Sequence, residues 1–343
     1  MENIGILMGG CSHEKDISIK SGETIYKYID RQKYQPYKII CMEMEGGKGN
    51  KKFHFEAVIN NERIKLKNTD FSLIVNEQTI TFSKIFMIIH GIPGESGDLC
   101  TYFEDKKIPY TSCGKKTSKH TFNKYLCHLD LNSKGYQTPK AYLWKDENNH
   151  EDDTLNIDMK SVTGFKDFPL IVKPTESGSS FGVHKVYDAA NMYLAIKDAK
   201  KYSLNGEVVI EEFIKGRELT CAVYKDKNKI ITLPITEIIS ENDIFDYDAK
   251  YHGKSIEKTP AKIENHIKEH IQEISSNIYE ELNLSGIIRI DFILQNTAAY
   301  IIEINTVPGF TEHSIVPQML KCANINITEF ITQQLECCDI FKF

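Results

Sequence analysis

The sequence predicts a mixed α/β protein of two or three domains, and three features of the chain support this. At 343 residues it is longer than one core usually serves. Its N-terminus reads as a strand, Ile4 to Gly10, that enters a glycine turn and then a helix with Ile19, Ile25 and Ile29 on one face. Near the other end, Gly286 to Phe310 reads as a β-hairpin, two Ile-rich runs broken by a polar QNTA turn. The apolar share of 41% and charged share of 26% are ordinary for a globular protein. A net charge of −6 without a basic tract gives no reason to expect nucleic acid as a partner. ENIGILMGG lacks the pattern of a signal peptide, and no apolar run approaches the ~20 residues of a membrane span, so no membrane association is expected. Nine scattered cysteines with no C-x-x-C suit reduced thiols and a cytoplasmic setting.

The loop of the first unit, GGCSHEKDIS, holds Glu14 and is not a G-x-G-x-x-G fingerprint. A turn at Met44 to Phe55 and short strands to about Glu77 follow. Lys84 to Asp98 reads as a buried strand ending in His90, then a loop rich in Gly and Pro. Lys106 to Gly114 reads as a short strand closing a first domain, 1–114. The next stretch reads as one helix carrying Lys124, a solvated charge on spacing alone. Phe168 to Pro174 is a continuous apolar strand ending in Lys173. Gly178, Ser179, Ser180 and Gly182 form a small tip whose N–H groups and hydroxyls suit phosphates. A helix then closes a second domain, 115–206. The third, 207–343, begins with two strands around a Lys-Gly turn, bearing Glu211, Glu212 and Glu218. A loop with Lys250 and Tyr251 leads to a helix over Ala261 to Leu282, then the hairpin, then a final helix from Asn326 to Glu336.

The hairpin carries the most chemistry. Strand side chains alternate, so Arg289 and Asp291 share a face, as do Glu303 and Asn305. Buried sheet faces rarely carry such charges, because an unpaired one costs several kcal/mol. Carboxylate and amide oxygens close together suit Mg²⁺. The alternative is a solvated face. His266, Glu269 and His270 match H-x-x-E-H, an inverted zinc-peptidase pattern, but flank the helix's core stripe and read better as a solvated edge.

Taken together, GGCSHEKDIS, IIHGIPGESGD, IPYTSCG, FNKY, VKPTESGSSFG, VIEEFIKGREL, FDYDAKY, GIIRIDF and EINTVPGFTEHS resemble the D-alanine–D-alanine ligases of the ATP-grasp superfamily, in order along nearly the whole chain. The resemblance implies three α/β domains with ATP between two antiparallel sheets. It implies attack of one D-alanine carboxylate on the γ-phosphate, then of a second amine on the acyl phosphate. Lys124 and Lys173 would bind phosphate, with SGSSFG, including Ser180, as a loop closing over ATP. Glu211, Glu212, Phe213 and Ile214 would be the adenine hinge, with Glu218 on the ribose. Asp291, Glu303 and Asn305 would hold two Mg²⁺, with Mn²⁺ as a substitute.

The same resemblance assigns Arg289 and the Gly309 N–H to the oxyanion, typically worth ~3–4 kcal/mol per donor. Glu14 would anchor the first amino group, with His90 beside it. Ser314 and Lys250 would hold the second carboxylate, Lys250 lying also on the nucleotide side. Ser179, Tyr251 and Glu14 would close the loop, and Tyr251 favours an amine as second nucleophile. The departures are Ser96 in GESG, Leu99-Cys100-Thr101 after it, and Ile315 beside the second subsite. They bear on amino-acid choice and dimer surface, leaving open D-serine as second substrate or a diverged paralogue. A homodimer is expected from the family.

Overall fold

The structure is a computed structural model and describes residues 1–45, 52–145, 164–165, 167–240 and 255–338. Lys250 and Tyr251 lie outside them. The chain opens with β1 (Glu2–Gly9), α1 (Lys15–Tyr28), β2 (Tyr34–Glu45), β3 (Lys52–Ile59), β4 (Glu62–Lys65), a small hairpin of β5 (Leu73–Val75) and β6 (Gln78–Ile80), and β7 (Lys84–Met87). Among the described residues these give a five-stranded sheet of order β4-β3-β2-β1-β7 and the separate β5-β6 pair. In the larger sheet β1 runs parallel to both neighbours. That fits an apolar, doubly covered strand: Ile4, Ile6, Leu7 and Met8 are fully buried. Lys106 to Gly114, expected as a strand, contributes only a single bridge, Ile85 to Tyr110. α2 (Asp98–Lys106) precedes it.

The helix expected around Lys124 is two helices, α3 (Lys115–Phe122) and α4 (Lys124–Ser133). Asn123 breaks it: its backbone is extended, and its side chain accepts from Leu126 N as the cap of α4. Lys124 therefore stands at the first residue of a helix instead of on its flank. A four-stranded antiparallel sheet follows, built from β8 (Ala141–Trp144), β9 (Leu170–Pro174), β10 (His184–Val186) and β11 (Val208–Glu212), with α5 (Met192–Tyr202) against it.

β12 (Arg217–Asp226), β13 (Lys229–Thr232), β14 (Thr236–Ser240), β15 (Ser255–Lys258), β16 (Ile288–Gln295) and β17 (Ala298–Asn305) form a second antiparallel sheet. α6 (Asn265–Glu281) packs on it, with Ile271 and Ile278 fully buried. The two strands expected around the Lys-Gly turn thus lie in different sheets. β11 pairs with β8 and β9, and β12 pairs with β14 and β16. A boundary at 206/207 cuts the first of these sheets, and the chain changes sheet at 213–216. The C-terminal end holds two helices where one was expected, α7 (Ile315–Cys322) and α8 (Ile327–Glu336). Both add Val316, Leu320, Phe330 and Ile331 to the cluster that includes Ile4 and Ile6 of β1, so first and last segments share one core.

Candidate active site

The two antiparallel sheets face each other across a cleft of about 950 Å³. Lys124 and Lys173 reach it from α4 and the end of β9. Lys124 Nζ donates to Ser177 O at 2.7 Å and stands 3.5 Å from Glu303. Lys173 is 4% exposed and pairs with Glu211 Oε2 at 2.8 Å. Burial alone would raise the Glu211 carboxyl, but Lys173 and His128 outweigh it and hold it down at about 2. Ser180, Glu212, Phe213, Ile214 and Glu218, expected from the resemblance around a nucleotide, also line this cleft. Ser179 and Ser180 both have positive φ, 50° and 58°, a strained pair of the sort found where a loop serves a ligand.

That loop is drawn onto the N-terminal unit. Ser179 Oγ donates to Glu14 Oε1 at 2.6 Å. Gly178 approaches so closely that a Cβ there would lie 2.2 Å from Glu14 Oε2. Glu14 Oε2 itself is buried and has no hydrogen-bond partner. A buried carboxylate oxygen without a partner is a natural seat for an ammonium group.

Across from Glu14, His90 is fully enclosed. Nδ1 donates to Val307 O at 2.7 Å, which leaves Nε2 to accept from Ser21 Oγ at 3.0 Å. Desolvation lowers its pKa, so the ring is neutral. Ser21 Oγ also accepts from Phe310 N, so α1 and the loop after β17 are locked together.

The hairpin builds the far wall. Asp291 faces Glu303 and Arg289 faces Asn305 across the β16/β17 ladder. Asp291 accepts from Thr220 Oγ1 (2.6 Å), Arg289 Nε and Nη2 (2.8 and 2.7 Å) and Asn305 Nδ2 (3.0 Å). Arg289 and Asn305 thus satisfy the charge of Asp291, and a cation would take their place once the Asn305 amide turned its oxygen inward. Two carboxylates and an amide on adjacent strands are a hard-oxygen donor set that fits Mg²⁺. Gly309 lies in the loop after β17, beside Ser314, whose hydroxyl accepts from Thr311 N at 3.0 Å at the start of α7. Ile315 is buried in the cluster under this loop. His266, of the H-x-x-E-H pattern, is largely exposed and pairs with Glu264.

Two functional-looking residues escaped the sequence reading. Glu95 accepts from the N–H groups of Gly91, Thr306 and Val307, pinning the loop after β17 to the loop after β7. Burial and nearby Glu14 push its carboxyl up to about 7. His128 is the other. GESG does contain Glu95, but only the fold reveals that two of its partners, Thr306 and Val307, lie some two hundred residues away.

Two family models match the chain: D-ala D-ala ligase N-terminus over residues 3–113, and D-ala D-ala ligase C-terminus over residues 131–336. The chain belongs to the D-alanine–D-alanine ligase family. It is 39% identical to a D-alanine–D-alanine ligase of Azobacteroides pseudotrichonymphae, over 98% of this chain and 99% of that protein. It is 38% identical to one of Flavobacterium johnsoniae, with the same coverages. Among solved structures, D-alanyl-alanine synthetase A from Vibrio cholerae superposes with a TM-score of 0.82 at 26% identity, covering 98% of this chain and 97% of that one. The VanG D-Ala:D-Ser ligase from Enterococcus faecalis superposes at 0.79 and 26% identity, covering 98% of each. The fold is that of the ATP-grasp ligases of this family.

Proposed function

We propose that this protein joins two D-alanines into D-alanyl-D-alanine, with ATP converted to ADP and phosphate, for peptidoglycan precursors. The observation that carries the reading is Glu14 Oε2, buried and unpartnered beside the closing loop, where an amino-acid ammonium would pair. The carboxylate of that first substrate attacks the γ-phosphate, giving an acyl phosphate and ADP. The amine of the second D-alanine attacks the acyl carbon, and phosphate leaves with the bonding pair of the C–O bond.

Lys124, Lys173 and the loop at Ser180 hold the phosphates in this reading. Glu211 to Ile214 hold the adenine, and Glu218 the ribose. Asp291, Glu303 and Asn305 would hold two Mg²⁺, or Mn²⁺, whose charge would offset that of the transferring phosphoryl group. Arg289, released from Asp291, and the Gly309 N–H receive the oxyanion of the second step. His90 keeps the first subsite in place through its bond to Val307. Ser314, with Lys250, takes the second carboxylate, and Ile315 backs that subsite. Ser179, Tyr251 and Glu14 close the loop, which excludes water from the acyl phosphate. The three-domain division, a homodimer and a cytoplasmic location belong to the same proposal. The domains divide near 114 and at 213–216, which keeps each sheet whole.

D-alanine-dependent ADP release tests this, since the reading requires both substrates for steady turnover. No ADP above the blank at saturating D-alanine would overturn it. D-serine competing with D-alanine decides the second substrate, and a mixed dipeptide as main product would favour the chemistry named for the Enterococcus faecalis structure.

A further inference from the structure

The β16/β17 ladder pairs Asp291 with Glu303 but Phe292 with Ile301, so Ile302 bulges out of register. Its carbonyl points to a buried histidine on α4, one turn after Lys124. We propose that His128 is a positioning residue for the nucleotide: it ties the Glu211 carboxylate on β11 to the bulged Ile302 carbonyl on β17, and so fixes where Lys173 stands between the two sheets. The inference rests on reading the cleft as the ATP site.

His128 is 2% exposed. Its Nε2 lies 2.9 Å from Ile302 O, and because a carbonyl only accepts, Nε2 carries the proton of that bond. Its Nδ1 lies 3.3 Å from Glu211 Oε1, where neither atom has a hydrogen-bond partner, so this contact is a charge pair, made when the ring carries both protons. The other carboxylate oxygen of Glu211 holds Lys173 Nζ. The row Ile302, His128, Glu211, Lys173 therefore crosses from one sheet to the other and ends on a cation that lines the cleft. Without the imidazole, Ile302 O loses its donor and Glu211 Oε1 loses its charge partner. The carboxylate is then free to rotate, and the lysine it holds moves with it. A histidine that only filled space would affect stability and leave nucleotide affinity alone.

The test is ATP binding to the full-length protein by titration calorimetry, with steady-state KM values for ATP and D-alanine. His128→Leu is expected to raise the Kd and KM for ATP by about tenfold, the scale of one lost buried hydrogen bond, while the KM for D-alanine stays within about twofold. His128→Gln keeps an N–H donor for Ile302 O and is expected to lose less; it also serves if the leucine variant does not fold. In a Glu211→Gln background the His128→Leu change is expected to add nothing further, since it acts through that carboxylate. Wild-type binding with an unchanged Kd in the His128 variants, or an equal loss in both backgrounds, would overturn this inference alone. No binding by the wild type would overturn the ATP-site reading, and this inference with it.

Discussion

The Glu95→Gln substitution separates a stability effect of pH from the chemistry. Glu95 is enclosed, and three backbone N–H groups donate to it, two of them from the loop that carries Gly309. Those donors favour the carboxylate, but burial first and Glu14 second outweigh them, and the pKa rises from 4.5 to about 7. The unfolded chain loses this proton near pH 4.5, while the folded chain keeps it until about 7. The folded state therefore binds more protons in that window, and stability falls as pH rises through it. At 1.36 kcal/mol per tenfold change in proton affinity, the gap amounts to roughly 3 kcal/mol. The contribution is fully present below about pH 4.5 and gone above about pH 7. Thermal or urea melts at pH 5 and pH 8 read it directly. Glu95→Gln is expected to be less stable at pH 5, having lost one acceptor, and to show a flatter change between the two pH values. An identical pH slope in wild type and variant would refute the reasoning.

Three further outcomes follow from the proposed site. Asp291→Ala and Glu303→Ala are each expected to abolish turnover at any Mg²⁺ level with the far-ultraviolet circular dichroism unchanged, and retained activity would count against the metal assignment. Gly178→Ala places a Cβ 2.2 Å from the Glu14 carboxylate, so the loop must move off; kcat/KM for D-alanine is expected to fall by about a hundredfold, a loss of roughly 3 kcal/mol, and wild-type kinetics would show that the loop does not close there. Tyr251→Phe is expected to weaken closure and alter the choice of second amino acid, which an unchanged D-alanine to D-serine product ratio would contradict.

The hairpin was legible from the sequence because strand alternation alone sorts Arg289, Asp291, Glu303 and Asn305 onto one face, and the ladder pairs them as expected. Lys173 was legible because a charge that ends a continuous apolar strand needs a counter-charge or a ligand to meet it there. The change of sheet between Glu212 and Arg217 was not, since two strands around a Lys-Gly turn read the same whether they pair with each other or with distant strands. The break at Asn123 depends on a cap and on Lys124 N meeting Thr175 O, a long-range contact. α7 was missed because Pro317 discourages a helix on propensity, although it falls in the first turn, where its missing N–H costs little. Glu95 and His128 matter through partners far away in sequence, and no local pattern distinguishes them from a loop acid and a helix-face histidine.

The most direct measurement is mass spectrometry of the product formed from D-alanine, ATP and Mg²⁺. One D-alanyl-D-alanine per ADP is the predicted result. ADP formed without any dipeptide, or neither product, would contradict the account.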